Sequence, residues 1–167
     1  MHPECPHCHS DIARRISLSG PVERLSNFFS VYTFRCQVCG YRFRCRVTGA
    51  AIPALPADKR QFERLPTHVP ATIVGAHERS EDIITDLSLG GCTLRTSSAL
   101  GRGAFVHLGL YPSAHEPAIL IETAMVRSIR PQAVGLEFLE FEGRQKQRLG
   151  QFIKALLLTR QTVNALG

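Results

Sequence analysis

Apolar and polar positions form a series of short runs over most of the chain after residue 58. The runs are rich in β-branched and apolar residues, and Gly, Pro, Ser and His separate them. Runs of this length and composition predict β-strands, and their close spacing favours a small antiparallel barrel. The predicted strands are Val69 to Val74, Asp82 to Asp86, Cys92 to Thr96, Ala104 to Leu110, Ile119 to Ile129 and Ala133 to Phe138.

The pattern changes its period near the end of the chain. From Glu142 onward, apolar residues recur at intervals of three and four, which places them on one face of a helix. Such a face needs a surface to cover, and the alternatives are the barrel, which is the simpler one, and a partner chain. The residues of this face are Leu149, Phe152, Ile153, Leu156 and Leu157.

A break in composition separates the predicted barrel from the N-terminal part of the chain. Small residues and two prolines between positions 49 and 57 interrupt all periodicity, which is typical of an interdomain linker. Five of the six cysteines lie before the break, and only Cys92 lies after it. The sequence therefore predicts a small domain over residues 1–48, a linker over 49–58, and a mainly β domain with a C-terminal helix over 59–167.

Composition and charge narrow the class of protein. Hydrophobic residues make up 44% of the chain and charged residues 20%, as in a folded domain with a core. The longest aliphatic run, Ala155 to Leu158, is far too short for a membrane span, and the N-terminus lacks the apolar core of a signal peptide. We therefore expect a cytoplasmic protein without membrane insertion. The net charge of +6 is concentrated before residue 50 and favours anionic partners.

Four cysteines form two C-x2-C pairs in the N-terminal domain, Cys5 with Cys8 and Cys36 with Cys39. Each pair can form a knuckle whose two thiolates point at one ion, and four sulfurs complete the tetrahedral shell of zinc. Gly40 suits the left-handed turn that follows such a knuckle. A segment of about 48 residues also has too small a core to fold securely alone, so we predict that the zinc is structural.

Other interpretations of these cysteines fit less well. A thioredoxin-like redox centre would come with a βαβ pattern, and a secreted disulfide framework would come with a signal peptide. A zinc deaminase would leave Cys5 and Cys8 unexplained. Four thiolates leave no coordination position for a catalytic water, so no enzymatic role is expected at this zinc. Residues 5 to 47 resemble the bacterial zinc-ribbon modules found at protein N-termini.

An alternating stretch follows the second cysteine pair and predicts a strand with two different faces. One face carries Arg42, Arg44 and Arg46, and the other carries Tyr41, Phe43, Cys45 and Val47. The arginine face is either a solvated basic surface or a contact surface for nucleic-acid phosphates or an acidic protein. Cys45 is expected to be a buried thiol and not a fifth metal ligand. Between the two pairs, Pro21 to Phe29 predicts a short helix.

Two short motifs lie near the start of the predicted barrel, one before its first strand and one at the end of its second. Arg60 and Arg64 form R-x-x-x-R, and Asp86, Ser88 and Gly91 form D-x-S-x-x-G. Either motif alone carries little information, because spaced arginines are usually solvated and Asp-x-Ser with glycine is usually a turn. Together, after a linker and ahead of an apolar strand, they resemble the signature of PilZ domains. The resemblance covers about residues 59 to 140, because Ala133 to Phe138 is similar to the last strand of that family.

The resemblance implies a six-stranded antiparallel PilZ barrel that binds the bacterial second messenger cyclic di-GMP. In that case Arg60 and Arg64 clamp the dinucleotide, because a guanidinium fork matches both a phosphate and the O6 and N7 edge of guanine. Asp86 accepts a hydrogen bond from a guanine N–H, and Ser88 is a small donor and acceptor. Gly91 is expected to leave room for the ligand and to permit an unusual backbone turn.

Two neighbours of these motifs are additional candidates for ligand contact, Lys59 beside the first arginine and Gly90 in the turn. A receptor of this kind acts on a partner protein and catalyses nothing itself. The arginine arm is also the tether to the zinc ribbon, so we expect the ligand to reorient the ribbon or the C-terminal helix. The alternative is a nucleic-acid-binding zinc ribbon that cyclic di-GMP either regulates or leaves unaffected.

Overall fold

The structure is a computed structural model that describes residues 3–16, 30–47, 60–74 and 82–165. The chain forms two compact units, residues 1–63 and residues 64–167. The predicted linker over 49–58, the predicted helix from Pro21 to Phe29, and Lys59 lie outside the described residues. Within the described ranges, no helix combines the length and the apolarity that crossing a bilayer requires.

The first unit contains a three-stranded antiparallel sheet in the order β1 (Ala13–Arg15), β2 (Val31–Cys36) and β3 (Arg42–Arg46). One face of this sheet is apolar because side chains alternate between faces along each strand. The predicted alternation along β3 is confirmed for its three arginines, which are exposed, and for Phe43 and Cys45, which are half-buried. Tyr41, expected on the buried row, is 47% exposed. The apolar face consists of Ala13, Tyr32 and Phe34 with Phe43, Cys45 and Val47 packed against them.

The second unit is a closed antiparallel barrel of six strands. Their order around the barrel is β4-β5-β6-β9-β8-β7. The strands are β4 (Leu65–Val74), β5 (Asp82–Ser88), β6 (Gly91–Arg95), β7 (Phe105–Leu110), β8 (Ile119–Arg130) and β9 (Ala133–Glu140). The predicted fold class and all six predicted strands are confirmed. Closure leaves no open sheet edge and encloses a core of fully buried aliphatic side chains, among them Ile84, Leu94, Leu108, Ile121 and Leu136.

The first barrel strand is longer than the sequence indicated. We expected it to start at Val69, whereas β4 starts at Leu65 and includes two prolines, Pro66 and Pro70. Proline usually interrupts a strand because it has no N–H for the ladder, and it is tolerated beside irregularities. A shift in register between Pro66 and Val69 provides such an irregularity. The extension matters because it brings the start of β4 beside Asp86 and Leu87 of β5.

The C-terminal helix, α1 (Gln145–Ala165), packs against the barrel. Leu149, Ile153 and Leu157 are buried, which confirms the predicted apolar face and the simpler of its two alternatives. Polar contacts fix the start of the helix to the segment that leads into β8. Arg148 donates to the carbonyl groups of Ala118, at 2.8 Å, and of Pro117.

Candidate ligand-binding site and metal centre

Arg64 and Asp86 form an ion pair at the start of the barrel. An Arg64 Nη1 lies 2.7 Å from Asp86 Oδ1 and 2.9 Å from Thr93 Oγ1. The strand register explains this meeting, because Pro66 is opposite Asp86 across β4 and β5, and Asp86 is opposite Thr93 across β5 and β6. Side chains of directly opposed residues lie on the same face and within reach of each other. The Arg64 and Asp86 side chains are 25% and 31% exposed, so a solute can reach the pair.

The hairpin between β5 and β6 is held by hydrogen bonds within the barrel. The Ser88 hydroxyl is buried and donates to the Gly91 carbonyl at 3.0 Å. The Gly90 carbonyl accepts from the Phe138 amide of β9 at 3.0 Å. Ser88 and Gly90 therefore fix the shape of the hairpin that follows Asp86, and the Ser88 hydroxyl is already engaged by the backbone.

Gly91 has a different structural requirement from the one we expected. Its φ is not in the left-handed region, so the expected unusual turn is not present at this residue. Instead, the backbone of β9 approaches it closely. A Cβ atom at position 91 would lie 2.2 Å from the Leu136 carbonyl oxygen and 3.3 Å from the Glu137 Cα. Only glycine lets β6 and β9 pair at this register, which also keeps the hairpin close to β9.

Arg60 is exposed and belongs to an arm, residues 60–63, that packs within the first unit. The side-chain Oε1 of Gln37 accepts from the Glu63 amide at 2.7 Å, and its Nε2 donates to the Gln61 carbonyl at 3.2 Å. Arg35 lies over the Phe62 ring, with its Cζ 4.8 Å from the centroid, and donates to the Gln61 side chain. Sequence reasoning did not anticipate these contacts, because Gln37 occupies an unspecified position of the C-x2-C motif and Arg35 belongs to no motif.

The structure brings the four predicted metal ligands together. The sulfur atoms of Cys5, Cys8, Cys36 and Cys39 all lie within 4.8 Å of one another. Two of the separations, Cys5 to Cys39 at 3.6 Å and Cys8 to Cys36 at 3.5 Å, are close to the roughly 3.8 Å edge of a tetrahedron with Zn–S bonds of about 2.3 Å. The donor set fits a tetrahedral cation that prefers sulfur.

Backbone geometry around the cysteines agrees with a pair of metal knuckles. The amides of Val38 and Cys39 donate to the Cys36 sulfur at 3.4 and 3.5 Å, a contact pattern typical of a cysteine knuckle. Gly40 has a φ of 78°, as its predicted left-handed turn requires. The His7 and Tyr41 rings stack at 5.5 Å and join the two knuckles.

The surroundings of the cysteines set the pKa of several thiols, both within the cluster and outside it. Burial raises the pKa of Cys8 and of Cys39, and the nearby Cys36 adds to both increases, so a bound cation would displace protons from this cluster. Cys45 lies outside the cluster, as predicted, and packs on the sheet core, where it is half-buried and not fully buried as we expected. Cys92 is fully buried in the barrel, which raises its pKa strongly and agrees with its expected role as a packing residue.

The polar face of the three-stranded sheet is strongly basic. Arg14, Arg35 and Arg42 are opposite one another across β1, β2 and β3, and Arg44 and Arg46 continue along β3. Burial, and then the charge of Arg42, lowers the pKa of Arg35. The predicted basic face is therefore present and larger than the three arginines that the sequence indicated.

The second unit is therefore a small β-barrel domain, and its accessible polar site is the ion pair beside the hairpin between β5 and β6. The family model described as the PilZ domain matches residues 58–155, so the chain belongs to the PilZ domain family. The match contains both arginines and the whole D-x-S-x-x-G motif. Among curated proteins, no sequence matches this chain.

Two solved structures are similar in fold. The structure of the Bacillus subtilis inhibitor of motility, MotI/DgrA, has 21% identity and a TM-score of 0.50, and the similarity covers 77% of this chain and 72% of that one. The crystal structure of YcgR from Escherichia coli in complex with c-di-GMP has 14% identity and a TM-score of 0.53, with coverage of 91% and 77%. At these identities the similarity establishes the fold. The family match and these similarities do not support the alternative of a nucleic-acid-binding ribbon.

Proposed function

We propose that this protein is a non-enzymatic cyclic di-GMP receptor that controls a partner protein. The observation that carries the proposal is the Arg64–Asp86 pair at 2.7 Å, which combines a cationic fork with a carboxylate acceptor at an accessible position. Membership of the PilZ family and the resemblance to a YcgR structure that contains this ligand support it. The protein supplies recognition and no catalytic group.

The chemistry of the site residues matches the ligand group by group. The guanidinium of Arg64 suits a phosphate or the O6 and N7 edge of guanine, and the Asp86 carboxylate suits the N1–H and N2–H donors of the same base. Arg60, four residues earlier on the exposed arm, supplies the second fork. Gly90 and Gly91 keep side chains away from the hairpin, and Lys59 adds a further positive charge beside Arg60.

We propose that ligand binding changes the presentation of the cysteine module or of α1 to a partner protein. The arginine arm belongs to the polypeptide that joins the two units, so a ligand that binds both arginines acts on this connection directly. MotI, a protein of similar fold, is named as an inhibitor of motility, which supports a protein target. A cytoplasmic location agrees with a receptor for an intracellular messenger.

Titration calorimetry of the full chain with cyclic di-GMP tests the proposed function. We expect saturable binding, and much weaker binding of cyclic di-AMP, which keeps the ring and both phosphates but lacks the guanine O6 acceptor. The linear dinucleotide pGpG tests whether the closed ring is required. Absence of any cyclic di-GMP binding at millimolar concentration, which corresponds to about −4 kcal/mol or weaker, would contradict the proposal.

We further propose that Cys5, Cys8, Cys36 and Cys39 hold a structural zinc ion in a zinc-ribbon module. The separations of the sulfurs, the amides directed at Cys36 and the turn at Gly40 support this. The ion would crosslink the two knuckles and stabilise a unit whose apolar core is small. Four thiolate ligands leave it without an open position for catalysis.

Replacing Cys36 with serine should remove the metal, because Cys36 is one of the four ligands and the acceptor of the two knuckle amides. The wild-type protein should contain about one zinc ion per chain, and Cys36→Ser close to none, by mass spectrometry of the metal after gel filtration. Cys45→Ser is the matched control, since it removes a thiol outside the cluster and should retain the metal. Full zinc content in Cys36→Ser would refute the assignment.

A further inference from the structure

Gln37 lies between the two cysteines of the second knuckle and makes contacts in three directions. Its side chain is only 4% exposed, and its Nε2 donates to the Arg35 carbonyl at 3.0 Å as well as to the Gln61 carbonyl. Its own amide donates to the Ile12 carbonyl at 2.9 Å. A buried amide with all of these bonds has a fixed orientation, because any rotation would leave a buried polar group unsatisfied.

The other side of these contacts is the arm between the two ligand-binding arginines. Gln37 binds the backbone of Gln61 and Glu63, and Arg35 stacks on Phe62 between them. Every residue between Arg60 and Arg64 is therefore contacted by β2 or by the second knuckle. We refer to the contacts of Gln37 and Arg35 with residues 61–63 as the arm clasp.

We propose that Gln37 is a positioning residue for cyclic di-GMP binding, which acts by holding the arm between Arg60 and Arg64 in one conformation through the arm clasp. The inference rests on the proposed function. Fixing the backbone of a residue costs conformational entropy, and an arm that is already ordered does not incur this cost when the ligand binds. Gln37 itself never touches the ligand in this scheme.

The inference has a consequence for the role of the cysteine module. Gln37 lies between Cys36 and Cys39. The geometry of the second knuckle therefore sets the position of the side-chain amide of Gln37. The cysteine module therefore holds the segment that directly follows Arg60. It also gives a reason for glutamine at this position, since one side chain must accept from an amide and donate to two carbonyls.

The first test compares cyclic di-GMP affinity in the wild type, Gln37→Ala and the control Val38→Ala. Val38 is the other residue within the knuckle, and the alanine variant keeps its backbone bond to Cys36. We expect Gln37→Ala to bind about tenfold more weakly, which corresponds to reordering roughly one residue, and Val38→Ala to bind like the wild type. Zinc content should be equal in all three, which separates a positioning effect from loss of the metal site.

The second test is a double-mutant cycle, which measures the coupling between Gln37 and Arg60. A purely structural role of Gln37 would give no such coupling. Arg60→Ala removes the contact that requires an ordered arm and leaves Arg64 and Asp86 in place, so binding is weakened and still measurable. If Gln37 acts by positioning Arg60, the combined variant should bind nearly as well as Arg60→Ala alone, because the contact that Gln37 positions is already absent. Losses that multiply independently would overturn the proposal.

Amide hydrogen exchange gives a readout without the ligand. The Glu63 amide should exchange slowly in the wild type and in Val38→Ala, and rapidly in Gln37→Ala, because its acceptor is then missing. Unchanged affinity in Gln37→Ala, or increased affinity, overturns the positioning role while the proposed function stands. If the wild type does not bind cyclic di-GMP, the proposed function fails and the positioning role fails with it, whereas the exchange result still reports whether the clasp forms.

Discussion

Replacing Arg64 with alanine should weaken cyclic di-GMP binding by at least about 100-fold. The substitution removes the fork that faces the ligand and also leaves the Asp86 carboxylate, 31% exposed, without its partner. Both effects act against an anionic ligand, the first by lost contact and the second by repulsion. Calorimetry on the full chain measures the loss, and Arg144→Ala, an exposed arginine ahead of α1, is the control for the same change in charge.

Substitution of Asp86 tests a different part of the site from substitution of Arg64. Asp86→Ala should weaken cyclic di-GMP binding by at least about tenfold and should also reduce the preference for cyclic di-GMP over cyclic di-AMP, because the acceptor for the guanine N–H groups is lost. An Arg64→Ala protein that binds within about threefold of the wild type would exclude Arg64 from the site.

Replacing Gly91 with alanine should destabilise the barrel by about 3 kcal/mol or more. The new Cβ would lie 2.2 Å from the Leu136 carbonyl oxygen, and that atom belongs to the backbone of β9 and not to a side chain that can rotate away. Strands β6 and β9 would have to separate, with loss of the ladder between them. Chemical denaturation followed by a probe in the barrel measures the change.

Gly101→Ala is the matched control for this substitution. Nothing lies within 4 Å of a Cβ at position 101, and its φ is outside the left-handed region. The stability of that variant should stay within about 0.5 kcal/mol of the wild type or increase slightly, since alanine restricts the unfolded chain more than glycine does. Equal stability of the Gly91 and Gly101 variants would contradict the prediction, because it would show that the backbone of β9 moves enough to accommodate the new methyl group.

The fold was largely predictable because its determinants are local. Strand β3 follows from a period-two pattern, and the six barrel strands follow from short β-branched and apolar runs between turn residues. The C-terminal helix follows from spacing of three and four. The start of β4 was missed because Pro66 normally argues against a strand, and only its place beside a shifted register makes it acceptable. That irregularity depends on pairing with β5, which a single stretch of sequence does not encode.

The approach of Arg64 to the bend that carries Asp86 was predictable from the two motifs, whereas the surrounding geometry was less so. The motif indicated that Arg64 and Asp86 belong together, and they form an ion pair. The requirement for glycine at position 91 comes from the backbone of β9, which lies more than forty residues away in sequence. The arm clasp has no sequence signal, because a glutamine at an unspecified position of a C-x2-C motif is as compatible with an exposed side chain as with a buried one.

The mutual contact of Arg64 and Asp86 also bears on which anions this barrel rejects. A phosphate that draws Arg64 toward itself separates Arg64 from Asp86. The Asp86 carboxylate is two-thirds shielded from water, so it then needs another hydrogen-bond donor. Guanine offers donors on the edge that bears N1 and N2, whereas inorganic phosphate and pyrimidine mononucleotides do not combine such an edge with the anion. If Arg64 and Asp86 form the proposed ligand site, selectivity against these abundant cellular anions arises from the cost of disrupting an existing contact, in addition to the gain from making new ones.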